Sequence, residues 1–129
     1  MTLSELLVEL KAVDPDTADD IGDIVNVISI MSNGSFSSDA YYPDFIIQGC
    51  IQRACERRGW EIDQNYRTRG RDGDLPKNMR YYAVVTSWYN DVHTYRGMGG
   101  TSASALLAAY VAAVKEEKQV QCIHEQSAH

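Results

Sequence analysis

Apolar residues change their spacing along this chain, and the change is sharpest between Met79 and Tyr89. That stretch is the only long run dense in β-branched and aromatic residues, with Met79, Tyr81, Tyr82, Val84, Val85, Thr86, Trp88 and Tyr89, which is the composition of a strand. Read with a period of two, one face carries Met79, Tyr81, Ala83, Val85, Ser87 and Tyr89 and the other Arg80, Tyr82, Val84, Thr86 and Trp88. Both sets are largely apolar, whereas a strand with one wet side alternates strictly. The pattern predicts the central strand of a small sheet, with a cover on each face.

Helical spacing flanks this strand. Thr2-Leu3-Ser4-Glu5 has the spacing of a capping box, and Leu3, Leu6, Leu7 and Leu10 fall on one stripe, which predicts a helix over about 3–12. Asp14-Pro15 stops it and starts a second, because aspartate caps well and proline suits the first helical position. Asp16, Asp19 and Asp20 fill the opening turns, followed by Ile21, Ile24, Val25, Ile28 and Met31 at helical intervals. The run Val25 to Ile30 also fits a strand, but the acidic start and Asn33-Gly34 beyond its end favour helix. Residues 35–40 read as a loop, after which Pro43-Asp44 opens a third helix with Phe45, Ile46, Ile47, Cys50, Ile51 and Ala54 as its apolar positions.

Gly59 is placed to end that helix, and Trp60, Ile62, Gln64 and Tyr66 then alternate with Glu61, Asp63 and Asn65 as a half-buried strand. Arg67 to Lys77 has no period and predicts a long, mobile connection into the central strand. Asn90-Asp91 supplies a tight turn, and Val92 to Arg96 closes a three-stranded antiparallel meander. The glycine-rich turn Gly97 to Gly100 leads to Thr101 or Ser102 as the cap of a last, alanine-rich helix, about 104–118. A helix with such small side chains can lie very close to a sheet. The expected fold is α+β, a three-layer α-β-α sandwich around a three-stranded antiparallel sheet, as one domain over 1–118 with a polar tail at 119–129.

Charge divides the molecule. The net charge is −6, yet residues 1–48 hold nine acidic residues against Lys11 alone, while residues 49–97 hold nine basic against six acidic. A chain this acidic lacks the clustered lysine and arginine that neutralise phosphates, which argues against nucleic acid as a partner. An apolar fraction of 44% with eight tyrosines is the composition of a folded domain, not of a disordered chain. Cys50, Cys55 and Cys122 make an odd count without paired spacing, so reduced thiols in a cytoplasmic protein are expected. The longest apolar run, Ala105 to Val114, is half of what a membrane span needs, and the first residues lack a basic region followed by an apolar core. Neither export nor a membrane anchor is expected.

Four groups of residues could carry function. Gly97, Gly99, Gly100, Thr101 and Ser102 enter a helix N-terminus, where backbone N–H groups can hold an anion or a nucleotide phosphate, although the lysine of a P-loop is missing. Arg67, Arg69, Arg71 and Lys77, beside Tyr66 and Tyr81, make a basic loop that Asp72 and Asp74 partly neutralise, so a protein-binding loop is favoured over a nucleic-acid site. His93 with Asp91, Tyr89 and Tyr95 has the residue types of an acid-base pair, but no serine or cysteine motif accompanies it, and a structural histidine is favoured. Asp16, Asp19, Asp20 and Asp23 join Glu5, Glu9 and Asp14 in an acidic surface able to dock on a basic protein. His124, His129 and Cys122 lack zinc spacing, so no metal and no cofactor are expected.

Leu3 to Leu10, Tyr41-Tyr42 before the third helix, Arg58-Gly59-Trp60, and Ser104 to Val111 follow one another in an order that resembles small phage and prophage proteins of the "ABA sandwich" kind. That resemblance covers most of residues 3–117 and departs where the long arginine loop replaces a short hairpin. It implies a three-layer fold and a phage origin, without catalytic residues. The expectation is a non-enzymatic phage-type accessory protein in the host cytoplasm. It would bind a host protein or complex through Asp16, Asp19, Asp20, Asp23, Arg67, Arg69, Arg71 and Lys77, as an inhibitor of host defence of the anti-CRISPR or another anti-defence type. The alternative is a small-ligand or nucleotide binder at the glycine-rich turn; a homo-oligomer stays open.

Overall fold

A computed structural model describes residues 3–31, 42–88 and 92–127, with side chains over 3–23, 44–88 and 92–119. Three helices come first: α1 (Leu3–Val13), α2 (Pro15–Met31) and α3 (Tyr42–Arg58). Asp14 separates α1 from α2 and caps the latter, its carboxylate accepting from the Thr17 N–H at 3.4 Å and from the Thr17 hydroxyl at 2.7 Å. Helix persists through Val25 to Ile30, the stretch whose composition also suits a strand. Helix α3 ends as expected at Gly59, whose φ of 72° is open to glycine without strain. Trp60 N–H then reaches back to the Cys55 carbonyl at 2.9 Å and Gly59 N–H to that of Glu56 at 3.1 Å, a Schellman closure.

Strands β1 (Glu61–Tyr66), β4 (Tyr81–Ser87) and β5 (His93–Gly99) form an antiparallel sheet in the order β1-β4-β5, so the aromatic run is the central strand. The fold is α+β, with helices packed on a three-stranded antiparallel sheet. The connection from β1 to β4 is more ordered than its lack of period suggests. It forms its own two-stranded hairpin, β2 (Arg69–Gly70) with β3 (Gly73–Asp74), followed by a 3₁₀ turn at Lys77–Met79. Leu75 N–H closes the hairpin on the Thr68 carbonyl at 2.9 Å, and Arg67 N–H extends the main ladder to the Arg80 carbonyl at 2.8 Å. Residues 35–40 and the Asn90-Asp91 turn lie outside the described residues.

Helix α4 (Ser102–Ser127) continues well beyond Lys118. Glu116 to Gln121 contains good helix formers and neither glycine nor proline, so nothing stops the helix where the apolar stripe ends. It lies on β4 and β5, while α1 and α3 pack on its other sides and α2 bridges α1 and α3. Residues facing all these neighbours, Ala103, Ala105, Leu106, Leu107, Ala109, Tyr110, Val111, Ala113 and Val114, are all buried. A helix apolar all round is a core helix. Cys50 and Cys55 are both buried although their sequence spacing turns them to different sides, because α3 is flanked by α2 and α4.

Among the described residues, helices cover one face of β4. Ala83 and Val85 are fully buried under α4, whereas Tyr82, Val84 and Thr86 on the opposite face are only half-buried. Beside them Met98 is 48% exposed and Trp88 54%. None of the described helices packs on that face. The four described helices gather on one side because α4 is apolar on most of its circumference, and α1 and α3 complete its burial instead of crossing the sheet.

Candidate functional site

Four elements meet at Asp14. Tyr110, fully buried on α4, donates its hydroxyl to Asp14 Oδ2, and Arg58 Nη2 lies 3.7 Å from the same oxygen. Arg58 also donates to Glu117 of α4 at 2.5 Å, and its guanidinium lies 4.9 Å from the Trp60 ring centroid and 5.9 Å from that of Tyr110. The two rings are themselves tilted against each other at 5.9 Å, within the range of an attractive aromatic pair. The result joins the α1–α2 corner, the end of α3, the start of β1 and the middle of α4 through one carboxylate and one guanidinium.

These contacts set the protonation states. Burial pushes the Asp14 carboxyl up, but hydrogen bonds from Tyr110 and Thr17 and the charge of Arg58 outweigh it and leave it below the ordinary value. Burial, with Asp14 as acceptor, pushes the Tyr110 hydroxyl up to about 12. Asp14 therefore stays charged, Tyr110 neutral, and each satisfies the other. Over this hub lies a cleft of about 350 Å³ lined by Asp14, Asp16, Thr17, Asp20, Ala54, Arg57, Arg58 and Tyr110. Arg57 holds Asp20 at 3.7 Å across its edge with both side chains half-exposed, a pair worth at most about 1 kcal/mol.

Of the acidic residues singled out in the sequence, Asp16, Asp19, Asp20 and Asp23 all stand exposed along the start of α2, and the cleft gathers Asp16 and Asp20. Arg67, Arg69, Arg71 and Lys77 are exposed around the β2–β3 hairpin at the opposite end of β1, roughly 20 Å away by strand rise. Arg69 pairs with Asp74 at 3.3 Å, and Arg67 lies 5.6 Å from the Tyr82 ring centroid. The acidic and basic groups are thus two patches, not one.

The glycines next to α4 have another use. Gly97 and Gly99 lie inside β5 rather than in a turn, and a side chain at Gly97 would collide with the Ala105 carbonyl and come within 2.7 Å of the Ala109 nitrogen. Thr101 and Ser104 cap α4 reciprocally, each hydroxyl accepting the other's N–H at 3.1 Å. Gln64 donates to the Ser102 hydroxyl at 2.7 Å. Close packing accounts for Gly97 and Gly99, and capping and hydrogen bonding for Thr101 and Ser102. His93 is exposed at the start of β5, while Tyr89 and Asp91 lie outside the described residues.

Sequence reading missed Tyr110 and Arg58. Tyr110 is the one hydroxyl within the apolar run Ala105 to Val114, and a buried tyrosine needs a polar partner; that was the available signal. Among the described residues no group of histidine, cysteine and carboxylate side chains could hold a metal ion, and no described helix is long and apolar enough to cross a membrane. Cys55, fully buried with its thiol pushed up to about 12 by burial, should be inert. Alkylation followed by mass spectrometry should leave Cys55 and Cys50 unlabelled in the native protein and label both once it is unfolded. No known protein family matches this chain, and neither a curated protein nor a solved structure is significantly similar to it.

Proposed function

We propose that this protein is a non-enzymatic accessory protein that docks on a basic surface of a host protein or complex through the acidic start of α2. The observation that carries this reading is the arrangement around the cleft. Asp16 and Asp20 line it and Asp19 and Asp23 stand exposed on the same helix, while the buried polar groups beneath are satisfied by one another. A preformed charged rim steers association and selects a partner of opposite charge. The titrating groups of the hub are engaged in structure, which favours binding over acid-base chemistry. Resemblance to phage sandwich proteins supports the host cytoplasm as the setting and a host defence complex as the target class. The basic β2–β3 hairpin is a second contact, available to a partner that spans the length of the sheet.

Charge reversal tests the reading. Asp16, Asp19, Asp20 and Asp23 changed together to lysine should reduce capture of the partner from host lysate by about tenfold or more at low salt. The thermal unfolding curve would be recorded alongside to confirm folding. Capture undiminished by a folded variant would remove the acidic surface from the interface.

A further inference from the structure

The sheet face turned away from α4 has a charge pattern that complements itself. Register places Asp63 of β1, Val84 of β4 and Arg96 of β5 in one row across the sheet, with Asp63 and Arg96 both exposed. The edge strands are two strand spacings apart, roughly 10 Å. In this row opposite charges therefore stand on opposite borders, with the half-buried Val84 between them; one row further along are Tyr82, which Arg67 approaches at 5.6 Å, and Met98.

We propose that this face pairs with the same face of a second copy of the chain, around a two-fold axis parallel to the strands and passing over Val84. Rotation about that axis carries β5 of one copy onto β1 of the other. Arg96 then meets the partner copy's carboxylate border, the reverse pair forms by symmetry, and the two β4 strands supply the apolar centre. An axis running across the strands would instead set β1 on β1 and β5 on β5, with like charges facing. The charge pattern thus selects the orientation, and sheets packed face to face at about 10 Å with aligned strands are a common arrangement. Strands of six, seven and seven residues cover roughly 330 Å², so the interface belongs to the small, reversible class. The dimer buries the apolar face of β4 that the described helices leave open, and leaves the acidic start of α2 on the outside of each copy.

Sedimentation equilibrium of the full chain, from about 1 to about 300 μM, tests this. The expected result is a reversible monomer–dimer equilibrium in the micromolar range. Val84→Glu, which sets two carboxylates facing across the axis, should abolish it. Arg96→Asp and Asp63→Arg should each weaken it about tenfold or more, and the two together should restore it to within about threefold, because the swap exchanges the charges on both borders. Unchanged thermal unfolding of the Asp63 and Arg96 variants keeps the comparison valid even if Val84→Glu does not fold. A wild-type chain that stays monomeric across this range overturns the proposal. So does a dimer indifferent to Val84→Glu, or charge swaps that add instead of cancelling.

Discussion

Adding one methyl group at Gly97 should destabilise this protein by about 3 kcal/mol or more, the upper end of overpacking costs. The new Cβ would overlap the Ala105 carbonyl, sit 2.7 Å from the Ala109 nitrogen and touch Ala108 Cβ at 3.0 Å. Two of those three atoms are helix backbone, which no rotamer change can move aside. Relief requires β5 and α4 to separate, and α4 is the element on which β4, β5, α1 and α3 all pack. Gly100→Ala is the control: its nearest neighbour would be the Asn78 Cα at 3.7 Å, an ordinary contact, and a change within about 0.5 kcal/mol is expected. Urea unfolding of both variants gives the comparison. A Gly97→Ala midpoint equal to that of Gly100→Ala would mean that β5 and α4 do not approach as closely as described.

Asp14→Ala should cost about 2–4 kcal/mol, from the lost cap of α2 at about 1 kcal/mol and a buried Tyr110 hydroxyl without its acceptor at about 1–3 kcal/mol. Tyr110→Phe removes the donor alone and should cost about 1 kcal/mol. Combined, the two should cost clearly less than their sum, because the phenylalanine no longer needs the missing carboxylate. Additive values from denaturant unfolding would show that the pair is not coupled. The same carboxylate sets an acid limit. Its folded pKa lies below its unfolded value, so its stabilisation is complete above the ordinary carboxylate range and is lost as pH falls through the folded value. Tyr110 sets the opposite limit. Its pKa is raised from 10 to about 12, so its contribution is complete below pH 10 and is lost as pH rises towards 12. Asp14→Asn should flatten the acid side of the stability profile and shrink the alkaline side without removing it, because burial alone still raises Tyr110.

Much of this architecture was legible because local chemistry wrote it. Asp14-Pro15 separates two helices since each residue has one favoured helical position, and Gly59 ends α3 since the closure needs a positive φ. The aromatic run became the central strand, and the alanine-rich helix lies against the sheet with glycines beneath it. The site was less legible. Asp14 was visible as a cap, but its bond to Tyr110 joins residues 96 positions apart, and no periodicity records which helix face meets which corner. Arg57 and Arg58 read equally well as a solvated basic end; only folding stacks Arg58 on Trp60 and pairs Arg57 with Asp20. The arginine loop looked irregular because two-residue strands are too short to show alternation.

The sequence by itself determined the four helices, the three long strands and the division of the chain by charge, but not the short β2–β3 hairpin, because caps, periods and charges are properties of neighbours along the backbone. Only the tertiary structure decided that every described helix lies on one side of the sheet, that Asp14, Arg58 and Tyr110 share one hub, and that the acidic and basic patches stand at opposite ends of β1. Those outcomes depend on how α4 divides its circumference among three neighbours, a competition between packing arrangements of the same apolar residues that no local pattern encodes.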